Sequence, residues 1–467
     1  MEPLSLLEVW AQIILRFWPV WLALLLITIP SRIYRDQLGI YGRIYYSGAG
    51  LIGLVLVLFW VLTAIFAPLI APFDPIVQNS DFVNFIPQKQ LGAGHVNAET
   101  GQAYLMGTDN TERDIFSRLV YGSRMVLILA PAATAIAFIV GITLGVAAGY
   151  LSGAYDAVLS FLANLILAFP VILLFYLFVT PGIDETGITQ TMAGVLFLFP
   201  IIFFGLLLWS RYNTRPTLLL VSLGVVLLVW GWLYAGIVFS VGSWIGDSLA
   251  EVLWLDSSAL VGLALLMGLA FVLLWAWGQS SAGQPQRLLS LGLVSVALGV
   301  LVILLPQFLK LFDLVIPVER AFLGMDSSML NIFVAVVFVS SPGVFRIVRG
   351  LVMDIKTRDY VAAAETRGEG PWYIMLWEIL PNVRGPLIVD ACLRIGYTTI
   401  LLGTLGVLGI GIDPESPDWG SMIAQIRKFM QTPDKAFHIF PPAMALLTLV
   451  LGLNLLADGI REQSLKD

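Results

Sequence analysis

The chain contains 467 residues, of which 58% are hydrophobic and only 12% are charged. This balance excludes a soluble globular protein, because a soluble core could not hide so much apolar surface. The net charge of -6, with Lys and Arg scattered along the chain, excludes nucleic acid as a partner. Apolar runs such as residues 54–62 do not alternate with polar residues, so the sequence predicts an all-α polytopic membrane protein and not a barrel.

About eleven stretches are long and apolar enough to cross a bilayer, at roughly 20 residues each. The first of them, residues 9–29, contains Arg16 and Pro19, which leaves open whether it spans the membrane or lies in the interface. Arginines within residues 31–43 then predict a cytoplasmic segment by the positive-inside rule, and a span at 48–72 leads outward.

A polar segment at residues 72–124, punctuated by Pro, Gly and Asn, is expected on the outer side. Spans at 125–150 and 154–179 follow it, joined by a Gly-rich turn. The next four apolar stretches are residues 192–210, 217–242, 260–278 and 288–308. Their connecting loops alternate between basic and acidic composition, as an in, out, in arrangement requires. Because four crossings return the chain to the side where it entered, this block could be inserted into a parent fold without inverting the remainder.

The last three predicted spans are residues 331–348, 386–411 and 440–459. Basic residues crowd the connection between the first two of these spans and predict that this connection is cytoplasmic. Within it, a short helix with small side chains is expected to end at Gly368, and a second helix is expected to end ahead of Pro381. Such a helix pair fits a groove on a partner protein, although a polar helix pair can also be a plain connector.

The sequence of this connection resembles the EAA loop of ABC importer permeases, in the form found in oligopeptide, dipeptide and nickel permeases. The residues that carry the resemblance are Tyr360, Val361, Ala363, Ala364, Gly368, Leu380, Pro381 and Asn382. One position departs from the pattern, because the family's glutamate falls on Ala362. The resemblance implies that this glutamate contacts an ATPase, so Asp359, Glu365 or Arg367 is expected to compensate for its absence.

A second set of motifs occurs in the order found in the same family. Gly107-Thr108-Asp109 precedes a run from Arg113 to Arg124, with Glu112 where the family usually has glycine. Shorter matches lie at residues 66–72, 168–170, 408–411, 419–420 and 454–461. The resemblance implies a six-helix permease core with about five additional transmembrane helices. The expected regions are an extra N-terminal segment (1–39), a first core part (40–182), an inserted four-helix block (183–325) and a second core part (326–467).

The resemblance implies the transmembrane permease subunit of an ATP-driven, binding-protein-dependent importer in the bacterial inner membrane. Its implied partners are a second related permease, two cytoplasmic ATPase subunits, an extracytoplasmic substrate-binding protein and the lipid bilayer. Peptides are the favoured cargo, ahead of nickel chelates and other small solutes. The chain contains no Gly-Lys-Ser/Thr phosphate loop, so ATP is expected to bind to the separate subunits. We expect no cofactor, metal or catalytic residue in this chain.

Two other classes of protein stay open at this stage. A self-sufficient secondary transporter or channel usually carries ionisable residues near the midplane in two related halves, whereas these spans are nearly free of charge and show no internal repeat. A membrane scaffold without transport is the other alternative. For residues 183–325, lipid-facing padding competes with a docking surface for another membrane protein or for lipid.

Asp390 and Arg394 are the exception to the uncharged spans. They lie four residues apart in one span and therefore share a helical face, where the two side chains can pair. Their position near the cytoplasmic end favours structural pairing, with coupling or a place along the pathway as the alternative.

Overall fold

The structure is a computed structural model that describes residues 3–78, 92–97, 100–109, 111–179, 188–212, 216–233, 327–410, 415–427 and 437–464. These residues are helical apart from short loops and a two-stranded hairpin. Among them, six helices are long and apolar enough to cross a bilayer, or up to eight spans if each of two bent helix pairs is counted as one. The prediction of an all-α polytopic membrane protein is confirmed.

The first part of the chain contains α1 (Leu6–Arg16), α2 (Trp18–Ile33), α3 (Gly39–Arg43), α4 (Gly48–Ile65) and α5 (Ala67–Ile70), with 3-10 turns at Arg35–Gln37 and Ile44–Tyr46. The antiparallel hairpin of β1 (His95–Val96) and β2 (Ala103–Tyr104) follows. The next helices are α6 (Ile115–Leu151), α7 (Ala154–Ala168), α8 (Val171–Val179), α9 (Ile188–Tyr212) and α10 (Pro216–Leu233).

After residue 326 the elements are α11 (Ser327–Ile355), α12 (Asp359–Thr366), α13 (Pro371–Tyr373), a π turn (Ile374–Ile379), a 3-10 turn (Leu380–Val383), α14 (Arg384–Leu408), α15 (Trp419–Arg427), a 3-10 turn (Phe437–Ile439) and α16 (Phe440–Ser464). The last three predicted spans correspond to α11, α14 and α16. The predicted spans at 260–278 and 288–308 lie outside the described residues.

The predicted span at 9–29 is a bent helix pair instead of one straight helix. α1 and α2 meet at an angle of 47° around Phe17, and Pro19 lies in the first turn of α2, where its missing N–H breaks no helical hydrogen bond. The N–H of Leu4 donates to the carbonyl of Gly94 (2.9 Å). α1 therefore lies against the polar segment that is expected outside.

The span predicted at 154–179 is also broken, into α7 and α8, which meet at 86°. Phe169 is extended between them, with φ of -77° and ψ of 137°. Pro170 explains the break, because a proline disfavours the helical conformation of the residue before it. The span predicted from apolar length therefore consists of two helices.

Close helix contact is strongest between α6 and α11, where three glycines spaced four residues apart on α6 each face a valine. The pairs are Gly141 with Val344, Gly145 with Val348, and Gly149 with Val352. A Cβ added at any of these glycines would lie only 2.5–2.9 Å from the valine Cβ. Small residues at such spacing let two membrane helices approach closely, so the backbones of α6 and α11 touch along three turns.

A second close contact joins α4 to α16. A Cβ at Gly53 would lie 2.7 Å from the carbonyl oxygen of Gly452, and Gly50, about one turn away on α4, faces Gly459, about two turns away on α16. Helices from both sides of the 183–325 segment therefore pack into one bundle.

Replacing Gly145 with alanine is expected to push α6 away from α11, since the added methyl group would lie 2.9 Å from the Val348 Cβ. The free energy of unfolding should fall by about 1–3 kcal/mol, measured by denaturant titration in detergent micelles. Gly350→Ala on α11 is the matched control, because its Cβ would meet nothing within 4 Å and stability should be kept. Equal stability of the two variants would contradict the close approach.

Candidate functional site

The short helix α12 ends at a glycine, as its sequence predicts. Gly368 has a φ of +80°, a left-handed conformation that favours glycine. Its N–H donates to the carbonyl of Glu365 (2.9 Å), and the N–H of Glu369 donates to the carbonyl of Ala364 (3.3 Å). This pair of bonds is a Schellman cap, which satisfies the last carbonyls of the helix and turns the chain.

The two faces of α12 differ in burial. Val361 and Ala364 are 0% exposed and belong to one apolar cluster with residues of the π turn and valines of α11. Ala362 and Ala363 are exposed, as is Asp359 one turn earlier. The buried face fixes α12 to the bundle, and the small exposed side chains leave room for the close approach of a partner.

The second helix of the loop does not stop ahead of Pro381, which corrects the sequence prediction. α13 continues into the π turn, then the 3-10 turn, then directly into α14. Pro381 has no N–H for the carbonyl four residues earlier, so the helix changes pitch around it instead of ending. The side-chain amide of Asn382 donates to the carbonyl of Glu378 (2.6 Å) in the same stretch. The loop and α14 therefore form one continuous helical run.

Two of the three charged residues expected to compensate for the missing glutamate have partners within the chain. Glu365 Oε1 accepts a hydrogen bond from the hydroxyl of Tyr150 at the end of α6 (2.8 Å). Arg367 Nη2 donates to Glu378 Oε1 (2.8 Å). Asp359 makes no side-chain hydrogen bond or ion pair within the part of the chain that the structure describes. It is therefore the carboxylate that α12 presents beside its exposed alanines.

The turn between α6 and α7 is fastened to the end of α11. Lys356 Nζ donates to Ser152 Oγ (2.6 Å) and to the carbonyl of Gly149 (3.0 Å). Arg349 Nη2 donates to Asp156 Oδ2 on α7 (2.6 Å). Because Tyr150 at the end of α6 also bonds to α12, the ends of α6, α11 and α12 form one connected unit.

Asp390 and Arg394 pair in the structure, with Arg394 Nε 2.7 Å from Asp390 Oδ2 and both side chains 17–18% exposed. Arg394 also donates to the carbonyl of Ser340 on α11 (3.4 Å). Its guanidinium lies against Gly343, where a Cβ would come within 2.9 Å of two of its nitrogens. The pair therefore joins α14 to α11. Among the residues that the structure describes, no group of three or more His, Cys, Asp or Glu could hold a metal ion.

At the opposite end of the bundle, a buried arginine joins the start of α6 to the loop before α15. Arg118 is 0% exposed and donates to the carbonyls of Glu415 (3.1 Å) and Ser416 (2.8 Å). Trp419 is also fully buried, and its Nε1 donates to the carbonyl of Leu119 (2.8 Å). The motifs marked these residues, but sequence reasoning missed their contact because the partners are 297 to 300 positions apart.

The backbone conformation of the turn before α6 explains why the family usually has glycine at the position that Glu112 occupies in this chain. Glu112 has a φ of +64°, where a Cβ is strained. The carboxylate of Asp109 accepts from the N–H groups of Thr111 (2.9 Å) and Arg113 (3.0 Å) and from Arg113 Nε (2.9 Å). These bonds fix the residues on both sides of Glu112, so the turn requires the left-handed conformation whichever residue occupies it.

Asp114 caps the N-terminus of α6, outside the span predicted from the sequence. Its Oδ2 accepts from the N–H of Ser117 (2.8 Å). Burial raises the pKa of the Asp114 carboxyl to about 6, because desolvation of the charged form outweighs the hydrogen bonds that favour it.

Comparison with known proteins identifies the family. Residues 141–464 match the family model described as binding-protein-dependent transport system inner membrane component, and residues 47–87 match the N-terminal TM domain of oligopeptide transport permease C. The chain belongs to the family of binding-protein-dependent transport system inner membrane components. Its members are transport permeases and not enzymes.

Individual relatives agree with the family match. The chain is 25% identical over 412 residues to the dipeptide transport system permease protein DppC of Haemophilus influenzae, with 88% of each chain covered. It is 24% identical over 436 residues to the di/tripeptide transport system permease protein DppC of Pseudomonas aeruginosa, with 93% of each covered. It is 35% identical over 139 residues to the probable D,D-dipeptide transport system permease protein DdpC of Escherichia coli, covering 30% of this chain and 46% of the relative. The resemblance seen in the motifs is confirmed.

Glu112→Gly is expected to stabilise the protein relative to Glu112→Ala, by about 1 kcal/mol, because only glycine adopts the left-handed conformation without strain. The alanine variant is the matched control, since it removes the carboxylate but keeps the Cβ. Thermal unfolding of both variants in the same detergent measures the difference. An alanine variant as stable as the glycine variant would show that the turn carries no strain.

The Asp114 carboxyl should make the protein more stable at pH 5 than at pH 7. Its folded-state pKa of about 6 lies above an unfolded value near ~3.9, so the folded protein binds a proton that the unfolded chain does not, and stability falls as pH rises through 6. Asp114→Asn should reduce this pH dependence of the unfolding free energy. Asp74→Asn, at an exposed carboxyl, should keep it. A wild-type slope in Asp114→Asn would contradict the assignment.

Proposed function

We propose that this chain is the transmembrane permease subunit of an ATP-driven, binding-protein-dependent importer of peptides in the bacterial inner membrane. The observation that carries the proposal is the geometry of α12, whose small-residue face is exposed while its opposite face is buried in the apolar cluster that it shares with the π turn and α11. Family membership supports the transport role. The names of the relatives support peptides as the cargo.

In this proposal, a cytoplasmic ATPase subunit binds the exposed face of α12. Ala362 offers no carboxylate to it, so the contact depends on close packing against Ala363 and on the charge of Asp359 one turn earlier. ATP-driven closure of two ATPases moves α12. The movement reaches α6 through the bond between Glu365 and Tyr150, and it reaches α14 through the continuous helical run past Pro381. The path then switches between inward-open and outward-open states.

The remaining partners are those that membership of the family implies. A second related permease completes the translocation path, and the two permeases are embedded in the bilayer. The substrate-binding protein docks on the outer side, where the start of α6 meets the loop before α15. Residues 1–39 and 183–325 are additions to a core formed by residues 40–182 and 326–467, and the contacts of α4 with α16 and of α6 with α11 support this division.

Reconstitution tests the proposal. Liposomes that contain this chain with its second permease, two ATPases and the binding protein should take up labelled peptide only when ATP is present at the cytoplasmic face. Liposomes that contain this chain alone should take up none. Peptide uptake by the chain alone would overturn the proposal in favour of a self-sufficient transporter.

Gly368→Val is expected to uncouple ATP hydrolysis from transport. A β-branched residue at a φ of +80° is strained by at least ~1–2 kcal/mol and disrupts the cap of α12, so peptide uptake per ATP hydrolysed should fall by about tenfold. The control is Gly370→Ala, since Gly370 has a φ of -70° and a Cβ there would meet nothing within 4 Å. Wild-type coupling in Gly368→Val would count against the role of α12.

A further inference from the structure

The first helix of the 183–325 segment ends against the loop between α11 and α14. Trp377, in the π turn of that loop, donates from its indole Nε1 to Ser210 Oγ on α9 (3.1 Å). The guanidinium of Arg211 lies over the ring of the same tryptophan, 4.4 Å from its centroid. Two adjacent residues of α9 therefore hold one side chain of the loop, one through a hydrogen bond and the other through a cation–π contact.

A second tryptophan of the loop lies along the same helix. Trp372, in α13, lines a shallow cleft together with Ile202, Gly205, Leu206 and Trp209 of α9. Trp372 and Trp377 are tryptophans on either side of the point where α13 passes into the π turn. The second half of the loop thus presents both of its tryptophans to α9.

The other end of α9 is anchored in the bundle. Ala193 and Leu196 are buried in the cluster that α6, α8 and α11 form, together with Phe175 and Phe333. α9 is therefore more than a lipid-facing helix, since it packs against the core at one end and against the loop at the other.

The second half of the loop needs such support. Its π turn and 3-10 turn lack the regular hydrogen-bond ladder of an α-helix, and both are short and less stable forms. The position of this stretch relative to the bundle therefore depends on side-chain contacts. Trp377 has the largest of its side chains, and α9 holds that side chain from two directions.

We propose that α9 positions the second half of the loop between α11 and α14 by holding Trp377 between Ser210 and Arg211. Through this contact the 183–325 segment takes part in coupling ATP hydrolysis to transport. Arg211 and Trp377 are positioning residues, since they act through the loop and not on the cargo. The inference rests on the proposed function, because the loop must first transmit the movement of an ATPase.

The complete complex in liposomes provides the test, with peptide uptake and ATP hydrolysis measured together. Arg211→Gln removes the cation, and Trp377→Leu removes the ring with its N–H. Both should raise the number of ATP molecules hydrolysed per imported peptide by about threefold or more. A threefold change corresponds to the lower end of the free energies of cation–π contacts. Arg211→Lys keeps the charge and should restore most of the coupling. Arg32→Gln, at the cytoplasmic end of α2, is the matched control and should keep the wild-type ratio.

The possible outcomes distinguish a failure of this inference from a failure of the proposed function. The role of α9 alone would be overturned if the Arg211→Gln complex assembles normally and keeps the wild-type ratio of ATP to peptide, while the separate Gly368→Val complex is uncoupled. Because Arg211 is exposed, this variant is expected to fold even if Trp377→Leu does not. A wild-type complex without ATP-dependent uptake would overturn the proposed function and this inference with it.

Discussion

The close approach of α6 and α11 is the contact on which the rest of the structure depends. Three glycines of α6 lie directly on valines of α11, and the same valines share one apolar cluster with Val361 and Ala364 of α12 and with residues of the π turn. The buried face of α12 is therefore continuous with the packing of α6 against α11. Any side chain at the glycine positions would separate α6 from the valines of this cluster.

The two ends of α6 are held in different ways. At its N-terminal end, Arg118 is fully buried and bonded to carbonyls of the loop before α15, and breaking the contacts of a buried charge is costly. At its C-terminal end, Tyr150 bonds to Glu365 where solvent reaches the pair, and such bonds contribute little net stability. α6 is thus held by buried contacts at one end and joined to α12 by a solvent-accessible hydrogen bond at the other.

Each departure from the family pattern has a local structural account. Ala362 lies on the exposed face of α12, so the loss of the glutamate changes that surface without disturbing the buried face. Glu112 occupies a turn that Asp109 fixes through hydrogen bonds on both sides, so the strain of its Cβ is confined to one residue. The contact between Trp377 and α9 then connects the region that the motifs left unexplained to the loop that they identified.

The sequence by itself determined the features that depend on near neighbours in the chain. Apolar length gave the fold class, the glycine cap ended α12, and the four-residue spacing paired Asp390 with Arg394, because helix geometry and backbone sterics act over a few residues. Only the tertiary structure decided three contacts: that of Arg118 with the loop before α15, the burial of one face of α12, and the hydrogen bond of Trp377 to α9. Membrane spans are apolar on nearly every face, so their composition does not specify which faces meet, and shape complementarity in the folded bundle makes that choice.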